Sequence, residues 1–224
     1  MVALPPKTVM IRILRMDDYT FFAKLEEKLK SDKPGLSAQL KMVSHPRPGQ
    51  KPYGEVEDIS LKAGVMLLLY PRGGSRYLVL IRRTSTVLHH KDQISFPGGQ
   101  LEPGEDFVRA ALRETQEELG VPPEKIRILG ELTPLYIPPS NFCIYPVVAA
   151  VDGPLSFQPH PEEVAEIVEI QLDHLLDAKN IREEKWVVRG EPLNVRFYAC
   201  GDHKIWGATA MVLAEFLDIL QSNT

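Results

Sequence analysis

The sequence is poor in cysteine, and it has no long apolar run, no excess of basic charge and no internal repeat. Cys143 and Cys200 are the only cysteines among 224 residues, and two thiols so placed give neither a metal-ligand spacing nor a disulfide framework. Two free thiols fit a reducing compartment, so the cytoplasm is the default expectation. The longest apolar stretch, Val65 to Tyr70, has the length of a strand and cannot cross a bilayer, so no membrane role is expected. The opening MVALPPKTVM carries two prolines and lacks a long apolar run, which argues against a signal peptide. A net charge of −4 argues against a dedicated nucleic-acid binder, because phosphate backbones are held by basic surfaces. A small phosphorylated ligand stays open, since it needs only a local basic cluster or a metal.

What is present is the balance of an ordinary globular chain, 44% apolar and 25% charged, with enough length for one large domain or one domain with an extension. Asp17 to Ser31 reads as an amphipathic helix, with Phe21, Phe22, Leu25 and Leu29 at helical spacing. Lys33 to Asp58 is polar and rich in proline and glycine and reads as loop or linker, its basic piece HPRPGQKPYG as a solvated loop. This divides the chain into an N-terminal helix and linker extension over 1–60 and a main domain over 61–224. In that domain AGVMLLLY and RYLVLIRR read as strands joined by the turn PRGGS. A long loop through His90 leads to ISFPGGQ, and EDFVRAALRETQEELG has the composition of a helix closed by Gly120 and two prolines. Strands follow in IRILGEL, CIYPVVAAV, EIVEIQL, WVVRG and VRFYAC, with a short helix at Leu172 to Asp177 and a last helix over Thr209 to Gln221. Interleaved strands and few helices predict an α/β fold with a mixed sheet covered on both faces.

The chemistry concentrates between Gly99 and Val121. Glu114, Glu117 and Glu118 lie at i, i+3 and i+4 and occupy one arc of about 100° on a helix. Three carboxylates so close repel one another, and a helix gains nothing from stacking them. A hard cation such as Mg²⁺ or Mn²⁺ suits an all-oxygen ligand set. The opposite arc carries Val108, Ala111, Leu112, Thr115 and Leu119 and is expected to pack on the sheet. Thr115 is the polar member there, and its hydroxyl can bond back to the carbonyl of Ala111.

Gly99, Glu105, Arg113, Glu114, Glu117, Glu118, Gly120 and Val121 fit the Nudix box, G-x5-E-x7-R-E-U-x-E-E-x-G-U with U aliphatic. Only Thr115 departs, at an aliphatic position. A chance match to those eight positions is on the order of 10⁻⁸ per start point. The segment therefore resembles the Nudix hydrolases over Ala63 to about Gln221, which implies an α/β/α sandwich with a mixed sheet. By the same resemblance Glu114, Glu117 and Glu118, joined by the carbonyl of Gly98, would be the metal ligands. Arg113 and Glu105 would orient the acids and the helix start. The expected catalytic set is Glu117, Glu118 and Arg113 with one further acid from a downstream loop. Glu162, Glu163 and Glu166 qualify, and Glu163 is the choice.

The segment before the box, HHKDQISFPGG, resembles that of coenzyme A diphosphatases. Arg83 and Phe96-Pro97-Gly98-Gly99 match their signature, while Thr84, Leu88 and Asp92 stand where it has serine, arginine and glycine. TPLYIPPSNFCIYPVVAAV resembles their downstream segment through Ser140, Phe142 and Pro146, and IWGATA their last helix start. The resemblance implies a nucleotide small-molecule substrate, coenzyme A or a derivative, cut to adenosine 3′,5′-bisphosphate and phosphopantetheine. Arg83, Lys91, Phe96 and Ser140 would contact it; the missing arginine means either a lost contact to the substrate's phosphates or a basic residue moved to Lys91. His89, His90, Tyr136, Phe142 and Tyr145 read as polar-loop or core residues. Two other readings stay open: an ADP-ribose, NADH or dinucleotide pyrophosphatase, with Pro138 and Pro139 near a proline some ADP-ribose enzymes carry, and a catalytically silent ligand-sensing or partner-binding module. Homodimers are frequent in the family, and the N-terminal extension could serve one.

Overall fold

The run Val65 to Tyr70 is apolar without alternation because both faces of its strand are covered. β1 (Leu61–Arg72) turns Met66, Leu68 and Tyr70 into one core cluster and Leu67 and Leu69 into another. The computed structural model describes residues 16–44, 60–84, 93–188 and 190–222. The basic piece from His45 and the stretch with Leu88, His89, His90, Lys91 and Asp92 lie outside these residues.

β1 pairs antiparallel with β2 (Ser75–Arg83) through the Gly73–Gly74 turn and parallel with β7 (Phe142–Ala150). With β3 (Ile94–Ser95) and β5 (Arg127–Glu131) the sheet runs β3-β2-β1-β7-β5. β4 (Gly98–Gln100) pairs with β1, β6 (Leu135–Ile137) with β7, and β8 (Val164–Gln171) with β2. One face carries α3 (Phe107–Leu119), packed through Ala111 and Leu119. The other carries α1 (Asp18–Lys30) and α5 (Gly207–Gln221). This is the expected mixed sheet between helical layers.

Two features depart from the sequence reading. Part of the stretch read as linker is ordered: α2 (Leu36–Gln39) and the 3-10 turn Leu40–Met42 bury Ala38, Gln39 and Met42. Its polar composition is misleading because the Gln39 amide nitrogen finds its acceptors inside the fold, donating to Glu215 Oε2 (2.8 Å) and to the Thr133 carbonyl (2.9 Å). The last strands, β9 (Ile181–Val188), β10 (Glu191–Cys200) and β11 (His203–Ile205), form a second, three-stranded sheet after α4 (Leu172–Leu176). Among the described residues no helix is long and apolar enough to cross a membrane.

α1 joins the core directly, through the four apolar residues its spacing marked. Asp17 caps it by accepting from the Thr20 N–H (2.9 Å). Near its end Lys28 donates to the carbonyls of Ile219, Leu220 and Ser222 (3.3, 3.0 and 2.7 Å) at the close of α5, where intrahelical donors run out. In α5 the fully buried Glu215 accepts from Gln39 and from the Thr133 hydroxyl (2.6 Å). Replacing Glu215 by alanine strands both donors, so it should cost roughly 3 kcal/mol. Urea denaturation is expected to show a lower midpoint with an unchanged slope.

Candidate active site and metal centre

β4 lays Gly98, Gly99 and Gln100 against Val65, Gly64 and Ala63. The chain then turns through Pro103-Gly104 and enters α3, where the Asp106 carboxylate accepts from the Arg109 N–H (2.8 Å). Asp106 is the helix cap, one residue beyond Glu105, the boundary read from the sequence. Gly120, in the left-handed region at φ 70°, closes the helix. Thr115 donates to the carbonyl of Ala111 (2.6 Å), as expected from its place on the packed face.

Two glycines set how closely these pieces approach. A Cβ on Gly64 would lie 2.1 Å from the carbonyl oxygen of Phe107, so only glycine lets the first turn of α3 rest on β1. A Cβ on Gly99 would lie 2.2 Å from Oε1 of Glu114. Gly99 thus makes a cradle for a carboxylate.

The acidic arc is graded in depth. Glu118 is 1% exposed, the Glu114 side chain 16% and that of Glu117 57%. Arg113 ties the arc together: Nε and Nη2 grip both oxygens of Glu105 (2.9 and 3.1 Å), and Nη1 donates to Glu114 (2.8 Å) and Glu117 (3.1 Å). The bond to Glu105 raises the guanidinium further above its ordinary range, and the same bond with the Glu102 N–H lowers the Glu105 carboxyl. Glu118 faces the other way. It accepts from the Gly98 N–H (2.9 Å) and from Arg83 Nη1 (3.1 Å).

Burial dominates the electrostatics of the two inner acids. It raises Glu114 against the pull of Arg113, with the charges of Glu117 and Glu163 adding to it. It pushes Glu118 up to about 8 against the Gly98 N–H and Arg83, with Glu114 and Glu163 adding to it. Glu163 is therefore close enough for both inner acids to feel its charge. Of the other downstream acids, Glu166 is engaged elsewhere, with Arg82 (2.9 Å) and His203 (3.1 Å), and Arg82 lowers it. The Glu162 carbonyl accepts from the Thr84 hydroxyl (2.7 Å).

Four carboxylates, those of Glu105, Glu114, Glu117 and Glu118, thus meet two guanidiniums, Arg83 and Arg113, and with Glu163 beside them the site carries a surplus of three negative charges once all five acids are ionised. The donors are all oxygen, and two are buried. Both facts fit a divalent hard cation. As the side chains stand they are divided between the two arginines, and among the described residues no three acidic, histidine or cysteine groups converge as a metal site.

A family model for the NUDIX domain matches residues 60–189. The chain belongs to the Nudix family. An uncharacterized Nudix hydrolase, NudL, of Photorhabdus laumondii is 34% identical to it over 64% of this chain and 77% of the relative. The mitochondrial coenzyme A diphosphatase NUDT8 of Mus musculus is 38% identical over 66% of this chain and 72% of its own, and that of Homo sapiens 35% over 68% and 66%. The chain is a Nudix pyrophosphohydrolase, a class that acts on nucleotide small molecules and generally uses divalent metals.

In this Nudix hydrolase the sequence-marked residues separate into three groups. Glu105, Arg113, Glu114, Glu117, Glu118, Gly98, Arg83 and Glu163 come together around the second half of α3. Phe96, expected to touch substrate, is 3% exposed and belongs to the core on the α1 and α5 face, so it acts through packing. Ser140 lies in the turn Pro138–Ser140 before β7, its hydroxyl turned to the Ile137 carbonyl (3.4 Å). Lys91 lies outside the described residues. Gly64 escaped the sequence reading because nothing local to β1 shows that a helix crosses it. Asp106 could have been found, since an aspartate three residues before a helical N–H is a cap signal.

Proposed function

We propose that this Nudix hydrolase cleaves the diphosphate of coenzyme A or a derivative to adenosine 3′,5′-bisphosphate and a phosphopantetheine product. The reading is carried by its 38% identity to the mouse coenzyme A diphosphatase. Its support in the site is that Arg83, from the coenzyme A signature, bonds Glu118, from the Nudix box. The two motifs meet at one carboxylate.

Glu114, Glu117 and Glu118, with the carbonyl of Gly98, are the groups proposed to hold Mg²⁺ or Mn²⁺. A bound divalent cation would neutralise the diphosphate oxygens and make water a better nucleophile. Glu163 serves as the base. Its carboxylate takes a proton from the attacking water, the new P–O bond forms, and the bridging P–O bond breaks, leaving its electron pair on the departing phosphate. Arg113 keeps Glu114 and Glu117 in place through Glu105, and Arg83 and Lys91 balance the phosphate charge.

The test is product analysis by mass spectrometry with coenzyme A, acetyl-coenzyme A, ADP-ribose, NADH and diadenosine polyphosphates, in Mg²⁺ or Mn²⁺. Adenosine 3′,5′-bisphosphate from coenzyme A is expected, and Glu118→Gln should remove it. Cleavage of ADP-ribose or NADH alone would keep the chemistry and discard the substrate. Silence across the panel would favour a ligand-sensing domain.

A further inference from the structure

The pairing of β2 with β8 shifts register at one point: Arg82 faces Glu166, whereas Arg83 faces Val164. Ala165 is the extra residue of a β-bulge, a device that re-aims the side chains of its strand. On one side of the bulge Glu166 turns to Arg82 and His203. On the other side the chain is held by Thr84, the residue that follows β2. The Thr84 N–H donates to the Glu163 carbonyl (2.9 Å) and its hydroxyl to the Glu162 carbonyl (2.7 Å). The same turn is moored to α3 from behind. Glu163 and Val164 donate to the His160 carbonyl (3.1 and 2.8 Å), and the His160 N–H donates to the carbonyl of Glu118 (3.1 Å).

The turn 160–163 is thus slung between the end of β2 and the last turn of α3, with Glu163 between the two moorings. We propose that Thr84 is a positioning residue whose hydroxyl, acting with the bulge at Ala165, aims the Glu163 carboxylate at the acidic face of α3. A peptide pinned by one carbonyl can rock about that bond. Pinned by two consecutive carbonyls from one residue, it cannot. The backbone N–H is common to almost any residue, so the hydroxyl is what makes threonine or serine the fitting choice. This inference rests on the reading of Glu163 as an acid of the site.

The experiment is a double-mutant cycle with Thr84→Val, Thr84→Ser, Glu163→Gln and Thr84→Val/Glu163→Gln in the full chain. Mn²⁺ binding is read from the EPR signal of the free ion, and kcat and KM from hydrolysis of the panel substrate that is cleaved. Thr84→Val is expected to weaken Mn²⁺ binding about threefold and lower kcat about tenfold, with KM within twofold. Thr84→Ser should match the parent, and Thr84→Val should change nothing further once Glu163 is glutamine. Thermal melting checks folding, and Thr84→Ala replaces valine if that variant melts early. Equal losses from Thr84→Val in both backgrounds, or a serine variant as poor as the valine one, would overturn the clamp. A large effect of Glu163→Gln with none from Thr84→Val would overturn the clamp and spare Glu163. No effect of Glu163→Gln on either readout would bring down the role of Glu163 and the clamp with it.

Discussion

Glu118→Gln is expected to cut turnover by about three orders of magnitude, the scale of several kcal/mol lost from the metal site, while making the EDTA-treated protein harder to melt at pH 8. The two effects have one source. The carboxyl is nearly sealed from water, and burial moves it from 4.5 to about 8. In the unfolded chain it ionises near 4.5, so its share of the stability is whole below that pH and drains away as the pH rises towards 8. An amide carries no such penalty and still accepts from the Gly98 N–H. The gain at pH 8 should be on the order of 3 kcal/mol, or roughly 6–12 °C. Scanning calorimetry in EDTA from pH 5 to 8.5 should show the parent curve falling away from a flatter variant curve. Parallel curves would show that the Glu118 carboxyl is not held protonated by burial. Mn²⁺ at pH 8 should raise the parent far more than the variant.

The paired glycines give the second large effect, divided between them: Gly99 bears on activity and Gly64 on the fold. Gly99→Ala puts a methyl group where the carboxylate of Glu114 lies. The carboxylate is the far end of a flexible side chain, so it yields and the backbone stays. Metal affinity should fall about 10- to 100-fold, as when a metal ligand loses its support, with melting within a few degrees of the parent. Gly64→Ala meets the backbone of Phe107 and Ala111 instead. Only a shift of α3 off the sheet relieves that clash, at a cost of about 3 kcal/mol and roughly 6–12 °C in melting temperature. Titration with Mn²⁺ and a thermal scan on each variant separate the two cases. If Gly99→Ala binds Mn²⁺ as the parent does, Glu114 is not needed for the metal.

Helical periodicity was enough to show the packed face of α3 and the back-bond of Thr115, because both follow from the 3.6-residue repeat alone. It could not rank the three acids. Glu117 and Glu118 share an arc, and which of them is sealed depends on β4, the Gly98 N–H and Arg83. Phe96 shows the same limit. A motif can fix its place in the chain, but not which face of the sheet its ring enters. Gln39 and Glu215 are 176 residues apart, and each looks like a surface residue until the other is beside it. The bulge at Ala165 left no local mark, since it is a mismatch between two strands.

Lys28 and the final carbonyl it holds, that of Ser222, are 194 residues apart. During synthesis at about 5–20 residues per second, α1 leaves the ribosome roughly 10–40 seconds before α5 exists to be joined. Through that interval Phe21, Phe22, Leu25 and Leu29 have no α5 to pack on, and until β5 brings Gly130 against Leu29 a growing chain carries the apolar face of α1 without either partner. The docking of α1 is thus completed only when the last helix is made, and a chaperone has its opening in between.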